Sequence, residues 1–157
     1  MGDSYTLRGD GIAAIIQAQG AELSSLRNAQ GTELLWQAGA QWPRHAPILF
    51  PIVGRLKDDT LRHNGKTYPM TQHGFARDRR FVWVEQGPRS CKLALTDDAE
   101  TRARYPFAFR LEVTYTVGDA DLDVAFEPAT TSCPPRSAVI PLSTGRWCRG
   151  CRRRLTR

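Results

Sequence analysis

Histidine and late acidic residues are scarce in this chain. Only three histidines occur, at positions 45, 63 and 73, and no Asp or Glu follows Glu127. Proton-transfer chemistry therefore has few groups to draw on in the last third of the sequence. No apolar run approaches the roughly 20 residues of a membrane-spanning helix, so no membrane partner is expected. The opening Met1-Gly-Asp-Ser-Tyr-Thr6 lacks the basic and then apolar pattern of a secretory signal, which points to the cytoplasm. Thr6 behind Met1-Gly2 fits a myristoylation pattern, but with no basic cluster behind it the match is read as chance. There is no phosphate-cradling glycine loop and no nucleophile elbow.

Charge and cysteine are present but unevenly placed. Of 22 basic residues, seven arginines lie in residues 128–157, where there is no Asp, Glu or Lys. That leaves fifteen basic residues against all sixteen acids in residues 1–127, a body one charge short of neutral. The net charge of +6 thus belongs to the tail, and the body gives no electrostatic reason to expect a specific nucleic-acid partner. Three of the four cysteines, Cys133, Cys148 and Cys151, share the tail, and Cys91 alone is in the body. Cys148-Arg-Gly-Cys151 has the spacing of half a zinc site, yet with Cys133 it supplies three ligands where zinc takes four; no metal and no cofactor is expected. A basic arm that binds RNA or DNA stays open as an accidental property of the tail.

Strand patterning dominates the body. From Phe107 to Val117, Phe107, Phe109, Leu111, Val113, Tyr115 and Val117 share one face, and Arg110, Glu112, Thr114 and Thr116 the other. After a Gly118-Asp119-Ala120 turn, Leu122, Val124 and Phe126 alternate again, which makes a hairpin with one wet face. Asn64-Gly65 inside residues 60–68 predicts a type I′ hairpin. Residues 80–86 and 90–96 form a third hairpin through Gly87-Pro88, and earlier strands are predicted at residues 5–8, 11–17, 21–27 and 33–36. Only residues 97–105 look helical, with Thr96 as the expected cap and Pro106 as the stop. Many short strands with polar turns predict an all-β, antiparallel sandwich.

Two stretches break this alternation. Residues 46–56 are an apolar run held by Pro47 and Pro51 that ends in Gly54-Arg55. An arginine there can point its planar donors into a cleft, or pair with Asp58 or Asp59 at the surface. In Gln72-His-Gly-Phe-Ala-Arg-Asp78, Gly74 permits positive φ and His73 can carry a proton near neutral pH, though it can equally be a hydrogen-bonded structural histidine. His45 has little context, and His63, beside the hairpin turn, is expected at the surface.

PILFPIVGRLKDD (47–59) and QHGFARDRRF (72–81) together resemble the aldose 1-epimerase, or galactose mutarotase-like, family in its bacterial branch. GAELSSLRNAQGTELLW (20–36) is similar to that family's opening strands, and YPFAFRLEVTYTV (105–117) with LDVAFE (122–127) to its middle strands. The resemblance covers about residues 5 to 127 in the family's order. It implies a large β-sandwich that binds an aldose, such as a free or phosphorylated aldohexose, in a cleft on one sheet. It also implies that Arg55 and His73 contact the sugar, with His73 in the catalytic machinery and Arg77 supporting the loop. The family's base is a late Glu and its acid a second His in a motif like GGHPAF; this sequence contains neither.

The genetic code offers a test of why. Joining the third base of each codon to the first two of the next lets Ser137 to Thr156 be re-read as GGHPAFNWPLVPGLPKEAH. Some third bases are free choices, but the Trp147 codon is fixed and forces Val in the shifted frame. The expectation is a one-base frameshift near Glu127-Pro128. Residues 1–127 are then the N-terminal part of an incomplete mutarotase-like sandwich, and residues 128–157 an out-of-frame, Arg-rich disordered tail. Such a chain is expected to be inactive or nearly so. A non-catalytic sugar-binding module is the alternative.

Overall fold

The longest strand pair follows directly from the alternation in its sequence. In a computed structural model that describes residues 2–130 and 152–153, β8 (Phe109–Val117) and β9 (Leu122–Thr130) form an antiparallel hairpin, with Val113 opposite Phe126. Phe109, Leu111, Val113, Tyr115 and Val117 are all buried. β9 runs three residues past the compositional break at Glu127. The expectation of a disordered tail falls on residues outside the described ones, apart from the pair Arg152–Arg153. That pair, β10, is hydrogen-bonded beside Ala125 and Val124.

On the other side of β8 lie β7 (Ser90–Thr96) and β6 (Val82–Gln86), giving a five-stranded sheet in the order β10-β9-β8-β7-β6. A three-stranded antiparallel sheet is made by β1 (Ser4–Arg8), β2 (Ile12–Gln17) and β3 (Leu23–Asn28). β1 and β2 pack against β7 and β8, so Leu7, Ala14 and Ile16 join Leu93, Val113 and Tyr115 in one core. The Tyr115 hydroxyl donates to the Ala21 carbonyl at 2.7 Å, which satisfies the one polar atom this large buried ring carries. The described fold is an antiparallel β-sandwich with one short α-helix, α1 (Ala99–Arg104), and two single-turn 3-10 helices. β4 (Thr60–His63) and β5 (Lys66–Pro69) form a separate hairpin. Asn64 and Gly65 have φ of 48° and 73°, the paired positive values a type I′ turn requires.

Three local expectations are corrected. Residues 33–36 form no strand. Glu33 makes only an isolated bridge to Arg27, because its carboxylate takes the N–H groups of Leu26 (2.7 Å) and Leu35 (3.2 Å) that a ladder would otherwise use. The helix is capped by Asp98, not Thr96. Asp98 Oδ1 accepts the Thr101 N–H and Thr101 Oγ1 accepts the Asp98 N–H, both at 2.8 Å, while Asp97 turns away to the Phe109 N–H. His63 is half-buried, its ring 4.8 Å from that of Phe107.

Candidate functional site

The two stretches that broke the strand pattern meet in space. Along residues 46–56, Ile48, Phe50 and Ile52 are buried at period two and hold the segment like a strand without sheet partners. Phe50 bridges Gly74 in parallel, and its carbonyl accepts the Phe75 and Ala76 N–H groups at 2.9 and 3.2 Å. The Phe50–Pro51 peptide is cis. A Cβ on Gly74 would land on the Phe50 carbonyl and 2.7 Å from Pro51 Cδ, and Gly74 has φ of 73°. Glycine is therefore required here for close approach and for conformation together.

His73 is locked to Gly54 from both ends. Its N–H donates to the Gly54 carbonyl at 2.8 Å, and its Nδ1 accepts the Gly54 N–H at 2.9 Å. His73 itself has φ of 67°, rare for a side chain of this size, and this turns the ring toward Gly54. Because Nδ1 is used as an acceptor, the ring proton of the neutral imidazole sits on Nε2. The side-chain amide of Gln72 lies 3.3 Å from that nitrogen. Arg77 Nη2 donates to the Gln72 carbonyl at 3.0 Å, bracing the loop from below. Its Nε is buried without a hydrogen bond, 3.7 Å from Asp78 Oδ2.

His73 and Arg77 line one wall of a cavity of about 450 Å³, with Trp42, Pro47, Leu49 and Phe126 among the other walls. Arg55 is not among its lining residues. It sits next to Gly54 in the chain, two-thirds exposed, and holds Asp59 through two bonds of 2.7 and 2.5 Å. Hydrogen bonding between the two raises the Arg55 guanidinium and keeps the Asp59 carboxyl below its usual range. The surface pairing considered from sequence is thus present, although Arg55 also adjoins the residue that holds His73.

Similarity to known proteins extends well beyond these loops. The family description "Aldose 1-epimerase" matches residues 3–138, most of the chain. The chain belongs to the aldose 1-epimerase family. It is 30% identical over 127 residues to the plasmid-borne protein LacX of Lactococcus lactis subsp. lactis, covering 77% of this chain and 42% of that protein. A galactose mutarotase related enzyme from Lactobacillus acidophilus superposes with a TM-score of 0.80 at 41% identity, over 82% of this chain and 44% of that one. A galactose mutarotase-like protein from Lactobacillus casei gives 0.78 at 39%, over 81% and 44%. The fold is accordingly the galactose mutarotase-like sandwich, and this family member spans less than half the length of these relatives.

Other groups contribute less to the site of this family member. Cys91 is fully buried, and burial pushes its thiol up to about 12, which removes it as a nucleophile. Burial likewise raises the Tyr115 phenol. His45 lies outside the cavity lining, its N–H donating to Glu22 Oε1 at 3.0 Å. Among the described residues, no three His, Cys, Asp or Glu side chains gather as metal ligands, and the CxxC pair lies outside them. No helix among the described residues is long and apolar enough to cross a membrane. Trp42 is the site residue that sequence reading missed. It occupies a loop with no periodicity, and nothing but its size marked it.

Proposed function

We propose that this chain binds an aldohexose, free or phosphorylated, in the cavity beside His73, and that its activity by descent is the interconversion of α and β anomers. The observation that carries this reading is the pair of hydrogen bonds between Gly54 and His73, which fixes a ring that lines the cavity and puts its proton on Nε2, where a sugar oxygen would take the place of the Gln72 amide as its neighbour. Arg55, outside the cavity lining but next to Gly54 in the chain, is the second contact of this reading, reached by a sugar that extends beyond the cavity. Its pair with Asp59 is solvent-exposed and screened by water, so sugar hydroxyls can compete for its donors.

Anomer exchange needs more than binding. A proton leaves the C1 hydroxyl while another reaches the ring oxygen; the ring opens, the aldehyde turns, and closure reverses both transfers. That calls for a base and an acid on opposite sides of C1. The 157 residues hold no histidine beyond His73 and no acid beyond Glu127, the two groups that the family resemblance implies. His73 also makes a poor proton donor-acceptor pair by itself, since protonating Nδ1 would break the bond from Gly54. A polypeptide of these residues is therefore a sugar binder that turns its ligand over slowly or not at all.

Calorimetric titration with D-glucose and D-galactose, alongside polarimetry of their mutarotation, tests both halves. Saturable binding that His73→Ala weakens on the order of tenfold is expected, with mutarotation no faster than in buffer. An absence of saturable binding defeats the sugar assignment. Turnover that His73→Ala abolishes would make the chain a working catalyst and overturn its reading as a binder alone.

A further inference from the structure

The cavity has chemically distinct sides. Its polar side chains His73 and Arg77 come from one loop, the hydroxyl of Tyr115 on β8 is already bonded to the Ala21 carbonyl, and Trp42, Pro47, Leu49 and Phe126 are apolar. A pyranose is divided in the same way, with hydroxyls around its rim and C–H bonds covering a face.

Trp42 is an unusual wall for such a cavity. The residue is 47% exposed, although indole is among the largest apolar groups a protein can bury. Among the described residues its ring stacks on no other ring, and its Nε1–H has no bond. The backbone beneath it is nevertheless well fastened. The Trp42 carbonyl accepts the Trp36 Nε1–H at 2.9 Å, and the Trp42 N–H donates to the Gly39 carbonyl at 3.0 Å. Two residues on, Arg44 Nη2 donates to Asp78 Oδ1 at 2.8 Å, tying this span to the segment that follows His73. The His45 N–H donates to Glu22 Oε1 at 3.0 Å, and Ala46 bridges Leu23. A ring left out of the core on a backbone this firmly held has its face available to a ligand.

We infer that Trp42 is the stacking platform of the sugar site: the C–H face of a pyranose lies on the indole while its rim hydroxyls reach His73 and Arg77. The electron-rich face of the indole attracts the weakly positive C–H hydrogens, and stacking removes apolar area on both partners from water. This rests on the sugar reading above and adds a demand on the ligand. Sugars with several C–H bonds on one face, such as β-D-galactopyranose, should bind better than those whose axial hydroxyls break up both faces.

Proton NMR on the full chain with D-galactose distinguishes the outcomes. In the wild type, ring protons on one face of bound galactose should move upfield and take the strongest saturation transfer. Trp42→Phe should keep binding within about threefold, and Trp42→Ala should weaken it on the order of tenfold. Binding by the wild type without an upfield shift, or with an affinity that Trp42→Ala leaves unchanged, overturns the platform and leaves the sugar site standing. No binding by the wild type removes the sugar reading and the platform with it. The shift needs no variant, so it decides the matter even where Trp42→Ala fails to fold.

Discussion

Gly74 and His73 show how much of the site depends on single backbone torsions. Both residues are left-handed, with φ of 73° and 67°. Gly74 adopts this conformation freely, whereas His73 carries a cost of about 1–2 kcal/mol that its two bonds to Gly54 must offset. Gly74→Ala adds a methyl where the Phe50 carbonyl already sits, so the loops must part. Destabilisation of about 2–4 kcal/mol is expected in urea melts, with sugar binding lost even where the fold survives. An unchanged midpoint would mean that the two loops are not coupled as described. The sequence made Gly74 and His73 stand out because they lie where the strand alternation breaks, while leaving a purely structural histidine equally open. It held no sign that His73 would be left-handed as well, because that depends on Gly54, nineteen positions away in the chain.

Among the elements, β3 and the loop after it share the Glu33 carboxylate, alongside bonds such as that of the Leu34 N–H to the Leu26 carbonyl at 2.7 Å. Burial alone would push Glu33 up. Bonds from the Ser25 hydroxyl, the Leu26 and Leu35 N–H groups and Arg27 Nε outweigh it and bring the carboxyl to about 2. A group whose folded value lies below its unfolded value of 4.5 contributes its full stability above pH 4.5 and loses it as pH falls toward 2. Glu33→Gln should therefore cost about 1–3 kcal/mol at pH 7 and almost nothing at pH 2. Thermal melts of the two proteins across this range measure the difference; parallel curves would show that the carboxylate does not hold the loop. The same residue explains an error of sequence reading. Glu33–Leu34–Leu35–Trp36 carries strand-like apolar content, but a side chain that captures backbone N–H groups is invisible to periodicity. The helix start differs from the expected Thr96 cap for a similar reason: the Asp97 carboxylate is taken by the Phe109 N–H, a partner twelve positions on, and Asp98 caps instead. By contrast β8, β9 and the Asn64-Gly65 hairpin were legible, because their patterns are local and complete.

At the scale of the whole molecule, the sandwich is defined by which faces are covered. β6 is the last strand of its sheet among the described residues, and on either side of buried Trp83 it presents Val82 and Val84, 68% and 42% exposed. Val84 falls at a bulge, between the pairs Trp83–Leu93 and Glu85–Lys92, so the edge is partly blunted but not charged there. Two exposed valines on a strand with no outer neighbour among the described residues favour pairing with another copy. Association at micromolar concentration is the expected outcome, read as a concentration-dependent sedimentation coefficient. Val82→Lys should shift the distribution toward monomer, because a charge on the edge strand resists a second strand, while secondary structure by circular dichroism stays unchanged. A monomer that sediments independently of concentration, or an assembly that Val82→Lys leaves intact, would locate the association elsewhere or remove it. The proposed sugar site is on a different part of the molecule, since the lining of its cavity does not include β6. Galactose affinity should therefore be the same for the Val82→Lys protein and the wild type, and a change in it would mean that the edge and the cavity communicate through the shared core.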